Sequence, residues 1–157
     1  MTDLHDKAKK YALRLLGYRG RSEKELKERL IRKGISKTVA SSTVKHLKSV
    51  GLINDRILAE NLAREALSIK LLSLCGVRKY LINRGIPRDI VSAVLIADER
   101  EDINTARMLL DKKMKSHDNI FSANNRRRMY NFLSRRGFSP DTIQTALKEK
   151  STDEEDL

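Results

Sequence analysis

The basic side chains carry most of the chemistry this sequence offers. Lys24, Lys27, Arg32 and Lys33 fall in one segment, Arg78 and Lys79 in a second, and Arg126, Arg127, Arg128, Arg135 and Arg136 in a third. Clustered cations can bind a phosphate backbone through counterion release, and can equally seat against an acidic protein groove. Around residues 23–33 a plain solvated face accounts for the charge about as well, because Glu25–Arg29 and Lys24–Glu28 form ordinary i,i+4 pairs. The run Arg126–Arg128 is different, since no carboxylate stands three or four residues away on either side.

Other chemistries are poorly supplied. His5, His46 and His117 lie far apart without metal-ligand spacing. Cys75 is the one cysteine, so no disulfide and no thiolate zinc site can form within the chain. It reads as a small buried hydrophobe. Gly17-Tyr18-Arg19-Gly20 lacks the Lys-Ser/Thr ending of a phosphate loop and reads as a turn. No enzyme, metal or cofactor is expected. The seven aromatics offer no stacking platform for bases, because Tyr11, Tyr80, Phe132 and Phe138 occupy core-like positions.

The elements that position the cations come from a repeat. Leu30-Ile31-Arg32-Lys33-Gly34-Ile35-Ser36, Leu81-Ile82-Asn83-Arg84-Gly85-Ile86-Pro87 and Leu133-Ser134-Arg135-Arg136-Gly137-Phe138-Ser139 share one pattern. Their glycines are 51 and 52 residues apart. Cations followed by glycine mark a helix C-terminus, where positive charge suits the dipole and glycine takes the left-handed turn. Ser36 and Ser139 then read as N-caps, and Ser22 with Glu25 as a capping box. A third apolar-periodic segment precedes each pair. The spacing predicts helices over 5–18, 23–33 and 37–50, over 55–70, 76–84 and 87–97, and over 100–115, 123–136 and 140–149. The expected fold is all-α. Three tandem three-helix repeats (5–53, 54–99 and 100–150) stack into an elongated, curved array, because a unit of this size buries little core alone. The apolar stretch Ile69–Cys75 is expected to continue the fourth helix and be buried by it.

Neither Ser41, Ser42, Thr43 and Lys45 in the third helix nor the apolar sixth helix suits base reading, so a DNA-recognition helix is not expected.

The charge follows the repeats. Of 157 residues, 33 are Lys or Arg and 21 Asp or Glu, a net charge of +12. Residues 1–53 carry +9, residues 54–99 carry +1 and residues 100–157 carry +2. The last segment, 151–157, holds four acids and no base and reads as a solvated, frayed acidic tail. Two basic outer repeats thus flank a nearly neutral one. In the stacked array, the middle helices of the repeats could form one basic stripe. The N-terminus is polar and acidic with no signal-peptide core, and no apolar run approaches the roughly 18 residues that span a bilayer. A cytoplasmic monomer that does not bind membranes is expected.

Ser22-Glu23-Lys24-Glu25-Leu26, Gly51-Leu52-Ile53-Asn54-Asp55 with Leu58-Ala59, the repeated Arg/Lys-Gly-Ile/Phe turns, and Arg136-Gly137-Phe138-Ser139 with Ile143 form an ordered set over residues 8–148. Together they resemble the RecX family of recombinase regulators. The resemblance implies tandem three-helix repeats. It also implies a protein that binds the RecA recombinase, chiefly as its filament on DNA, and inhibits strand exchange, ATP hydrolysis and coprotease activity in DNA repair and the SOS response. Weak, non-specific DNA binding is implied alongside. The chain departs from the family in its central repeat. There Leu71-Leu72-Ser73-Leu74-Cys75-Gly76 replaces a basic Gly-Pro segment, Asn54-Asp55 replaces an acidic pair, and Leu58 replaces a phenylalanine. Two other readings stand beside this one: a non-specific nucleic-acid-binding architectural protein, and a scaffold that binds only protein.

Overall fold

The computed structural model describes the backbone of residues 2–96, 99–114 and 122–155, and the side chains of residues 3–96, 100–114 and 122–149. Among the described residues the chain is all-helical: α1 (Thr2–Tyr18), α2 (Glu23–Arg32), α3 (Lys37–Ser49), α4 (Asp55–Ser68), α5 (Leu74–Asn83), α6 (Arg88–Val94), α7 (Glu99–Met114), α8 (Ala123–Ser134) and α9 (Pro140–Glu155). This is the tandem three-helix order the repeat predicts. His117 lies outside the described residues.

Three expectations need correction. First, α9 runs on to Glu155, so residues 151–155 of the tail expected to fray are helical; no glycine or proline intervenes to stop the helix. Second, α4 ends at Ser68 and does not carry on through the apolar stretch. Leu71 takes the left-handed conformation (φ 50°), and the Lys70 and Leu72 N–H groups fold back to the carbonyls of Glu65 (3.2 Å) and Ala66 (3.0 Å). Ile69 is left 75% exposed, while Ser73 is buried. Third, Cys75 is exposed, not buried. It lies on the outer face of the first turn of α5, whose inner face carries the buried Val77 and Leu81.

The chain divides into two compact units, Met1–Ala63 with Tyr80–Val94, and Arg64–Lys79 with Leu95–Leu157. The division falls within α4 and α5, so helices of the central repeat contribute to both units. In the first unit Ala8, Ala12 and Leu15 of α1 meet Leu26 and Leu30 of α2, Ala40, Val44 and Leu47 of α3, and Ile53. Leu26, Leu30 and Leu47 have no exposed surface; truncating such a side chain to alanine costs about 2–5 kcal/mol. In the second unit Ala106, Leu109 and Leu110 of α7 meet Met129 and Leu133 of α8, Phe138, and Ile143 and Ala146 of α9. An Arg107–Glu149 ion pair at 2.5 Å also links α7 to α9.

Each unit contains one copy of the same junction. In the first unit Ser22 caps α2: its Oγ accepts the Glu25 N–H (3.1 Å) and donates to the carbonyl of Arg84 at the end of α5 (2.7 Å). In the second unit Ser73 caps α5: its Oγ accepts the Gly76 N–H (3.0 Å), and its own N–H donates to the carbonyl of Arg136 beyond the end of α8 (3.1 Å). An aspartate from a following helix covers the next amide in both places. Asp55 Oδ1 accepts the Glu23 N–H (3.0 Å), and Asp102 Oδ1 accepts the Leu74 N–H (2.9 Å). The carbonyl end of one helix therefore sits on the amide end of another, a favourable pairing of opposite dipole ends.

The glycines in these turns are required twice over. Gly85 and Gly137 have φ of +80° and +89°, which L side chains rarely adopt. A Cβ at Gly85 would meet Ser22 Oγ at 2.5 Å, and one at Gly137 would meet the Gly76 nitrogen at 2.7 Å.

Candidate functional site

The structure gathers some of the expected cations and leaves others apart. In the first unit, Lys24 and Lys27 of α2 line a groove of about 450 Å³ together with Lys45 and Lys48 of α3, Glu23, Ser41 and Val44. Lys24 and Lys27 stand three residues apart, as do Lys45 and Lys48, so each pair shares one helix face. The four ammonium-bearing side chains face one acid, Glu23, which bonds Lys48 Nζ at 2.8 Å. Lys48 is held above the ordinary lysine value by that hydrogen bond and by the charge of Glu23. The groove can take an anion such as a phosphate or a carboxylate. Lys48 is absent from the expected cation set, as is Lys45 in its anion-binding role. The signal available in the sequence was the matching three-residue spacing on two adjacent amphipathic helices.

Arg32 and Lys33 do not line that groove. Arg32 is exposed and pairs with Glu28 at 3.7 Å, where an i,i+4 pair of Lys24 with Glu28 was expected. Lys33 lies over the Tyr11 ring, 5.8 Å from its centroid, and Arg14 lies 5.2 Å from the same centroid.

An arginine cluster around Glu25 secures the first-unit junction. Arg19 Nη2 bonds Glu25 Oε1 at 2.5 Å, Arg21 bonds the same carboxylate, and Arg84 Nη2 donates to the Gly20 carbonyl at 3.0 Å. Burial would raise the Glu25 carboxyl, but hydrogen bonds and charge from Arg19 and Arg21 outweigh it and hold the group below its ordinary value. The capping box expected of Ser22 and Glu25 therefore forms from the serine side, while the glutamate serves the arginines. Asp55 behaves oppositely. Burial holds its carboxyl above the ordinary value despite the bond from the Glu23 amide, and the nearby Glu23 charge adds to the rise.

In the second unit Arg126, Arg127 and Arg128 are exposed in the first turns of α8, whose cap Ser122 accepts the Asn125 N–H at 3.2 Å. Cations there oppose the positive end of the helix dipole, and the first turn holds no acid to offset them. An anionic partner would relieve that cost. Arg135, Arg78 and Lys79 are exposed in the same unit. Arg136 is half-buried: its guanidinium lies 4.1 Å from the Phe132 centroid, and its Nε has no hydrogen-bond partner among the described residues. That packing gives Arg136 a structural role. Tyr11, Tyr80 and Phe132 all carry a cation over the ring, so these faces are already engaged.

Among the described residues no group of His, Cys, Asp and Glu is arranged to hold a metal ion. No described helix is long and apolar enough to cross a membrane.

Known proteins resemble this chain in sequence and fold. A family model described as RecX, first three-helix domain, matches residues 8–47, and one described as RecX, third three-helix domain, matches residues 99–147. The regulatory protein RecX of Chlorobium phaeobacteroides (strain BS1) is 31% identical over 150 residues, covering 94% of this chain and 96% of that one. That of Legionella pneumophila (strain Corby) is 32% identical over 138 residues, covering 88% and 91%. The crystal structure of RecX from Lactobacillus salivarius superposes with a TM-score of 0.74 at 26% identity, covering 95% of this chain and 97% of that one.

Proposed function

We propose a function from one premise: the chain belongs to the RecX family of regulatory proteins. It acts as a regulator of the RecA recombinase, mainly an inhibitor. It binds the recombinase filament on DNA and modulates strand exchange, ATP hydrolysis and coprotease activity in DNA repair and the SOS response. It works in the cytoplasm, without a cofactor and without catalysing a reaction. The three repeats 5–53, 54–99 and 100–150 are its working modules, and it functions as a monomer.

The observation that supports this reading is the lysine groove of Lys24, Lys27, Lys45 and Lys48, far along the chain from the exposed arginines of α8. Two separate cationic surfaces give an acidic or phosphate-bearing partner two modest contacts, and linked modest contacts raise avidity without a deep pocket.

The alternative is a non-specific nucleic-acid-binding protein, and the exposure of Arg126–Arg128 favours it where no recombinase is present. Titrating the protein into recombinase ATPase and strand-exchange reactions, with binding to bare DNA measured across salt, separates the two. The regulator inhibits at protein concentrations that leave bare DNA unbound. Equal affinity for bare DNA and filament, with one steep salt slope for both, would sink the regulatory reading.

A further inference from the structure

The junction that occurs twice inside the chain has a third turn with no mate among the described residues. Gly34, Gly85 and Gly137 close their helices identically. Their φ values are +91°, +80° and +89°, and the residue after each donates its N–H back to the helix: Ile35 to Leu30 (3.1 Å), Ile86 to Leu81 (3.1 Å) and Phe138 to Leu133 (3.4 Å). Two of the three turns are seated on a serine-capped helix start. At Gly34 no atom of the described residues lies within 4 Å of where a Cβ would stand. Ile35 is half-buried, whereas Ile86 and Phe138, its counterparts, are 3% and 4% exposed. The carbonyl before each seated glycine accepts a bond from the capping serine, and the Lys33 carbonyl accepts none among the described residues. Beside this turn lies a groove of about 460 Å³ whose lining includes Leu4, Tyr11, Lys33, Ile35 and Val39.

We infer that the Arg32-Lys33-Gly34-Ile35 turn is a docking surface for a protein partner that presents a serine-capped helix N-terminus with a carboxylate three residues after the cap. The chain supplies the template. At the first-unit seat, Ser22 reaches the Arg84 carbonyl, Glu25 Oε2 stands 3.9 Å from Arg84 Nε, and the Gly20 carbonyl takes the Arg84 guanidinium. Lys33 holds the position of Arg84 relative to its glycine, and Arg32 stands next to it. A mate of this kind would cover Ile35, satisfy the Lys33 carbonyl and bring negative charge to two cations. Because the turn is already closed, binding costs little ordering.

A second copy of the chain is the poorer mate. Its unseated serine-capped helix starts are at Ser36, Ser122 and Ser139, where the third residue after the cap is Val39, Asn125 and Thr142, none a carboxylate, and Arg126–Arg128 follow Ser122. Arginines brought to Arg32 and Lys33 repel them. The inference concerns the class of partner and stands whether or not that partner is a recombinase.

The test titrates the isotope-labelled full chain with a side-chain-stapled peptide of residues 19–31, which carries the Ser22–Glu25 seat. Staple-induced helicity is needed because so short a helix is marginal in water. Saturable amide shifts centred on Lys33, Gly34 and Ile35 are expected. A peptide with Ser22→Ala and Glu25→Gln should bind about tenfold more weakly, and so should Lys33→Glu in the full chain, with helicity unchanged. No saturable shift at these amides, or equal binding of the doubly substituted peptide, overturns the inference. So does a concentration-dependent shift of Gly34 and Ser122 together without peptide, which would identify a second copy as the occupant.

Discussion

The Ser22 hydroxyl donates to the Arg84 carbonyl oxygen at 2.7 Å, across 62 residues of sequence, while its oxygen accepts the Glu25 N–H at 3.1 Å. One side chain therefore starts α2 and seats the end of α5. Ser22→Ala removes both bonds and leaves a half-buried carbonyl and amide short of a partner. A loss of about 2–3 kcal/mol is expected from the cap and the unsatisfied carbonyl together. Urea unfolding at neutral pH checks it. A loss below about 0.5 kcal/mol, the range of ordinary surface substitutions, would show that the seat contributes nothing.

Gly76 and Gly34 make a matched pair for the second junction. A Cβ at Gly76 would fall onto the Arg136 carbonyl oxygen, with Leu72 Cβ at 3.3 Å behind it. Backbone cannot yield as a flexible side chain can, so Gly76→Ala must push α5 off the α8 turn. Gly34→Ala meets no atom of the described residues and carries only the strain of its positive φ, about 1–2 kcal/mol. Gly76→Ala should be the more damaging by thermal unfolding, and its cost should appear at the amides of Ser73 and Gly137 in hydrogen exchange. Equal melting temperatures for the two variants would contradict the close approach.

Much of this was legible in the sequence, for definable reasons. The Arg/Lys-Gly-apolar turns predict where α2, α5 and α8 end because glycine after cations has a local cause. The starts at Ser22, Ser36 and Ser139 follow from capping chemistry. The break after Ser68 was not legible. Leu71 adopts a glycine-like conformation without being glycine, and it does so in a segment whose next residues, from Ser73 on, are tied to Arg136 and Asp102. That is a tertiary constraint with no local signature. The exposure of Cys75 is a consequence of the same break, because it sets the register of α5. The lysine groove was half legible. Lys24 and Lys27 stand out in a basic run, whereas Lys45 and Lys48 are diluted among Ser, Thr and Val and join them only once α2 and α3 pack.

The groove makes a direct prediction. Lys24→Glu with Lys27→Glu and Lys45→Glu reverses three of its charges and touches no residue of the first core. Helicity should be retained and inhibition of the recombinase reduced at least tenfold. If phosphates are the ligand, the slope of log affinity against log salt should flatten by roughly one for each lysine in contact. Unchanged inhibition would remove the groove from the site and leave the α8 arginines as its cationic part.

Glu25 and Asp55 face the same junction with carboxyls displaced in opposite directions, which fixes a pH dependence. Glu25 lies below its ordinary 4.5 in the folded chain. Its contribution is fully present above that value and is lost as pH falls through the folded one. Asp55 lies above its ordinary 3.8. Stability is greatest with Asp55 protonated, below that value, and is lost as pH rises through the folded one. Glu25→Gln should therefore destabilise the protein at neutral pH, and the deficit should shrink as pH falls through the carboxylate range. Asp55→Asn keeps an oxygen for the Glu23 amide and removes a buried charge, so it should be neutral or stabilising at pH 7. Its advantage should also shrink toward low pH. Urea midpoints for the three proteins from about pH 3 to 7 test both signs at once. A Glu25→Gln deficit that grows on acidification would mean that the bonds from Arg19 and Arg21 do not outweigh the burial of that carboxylate.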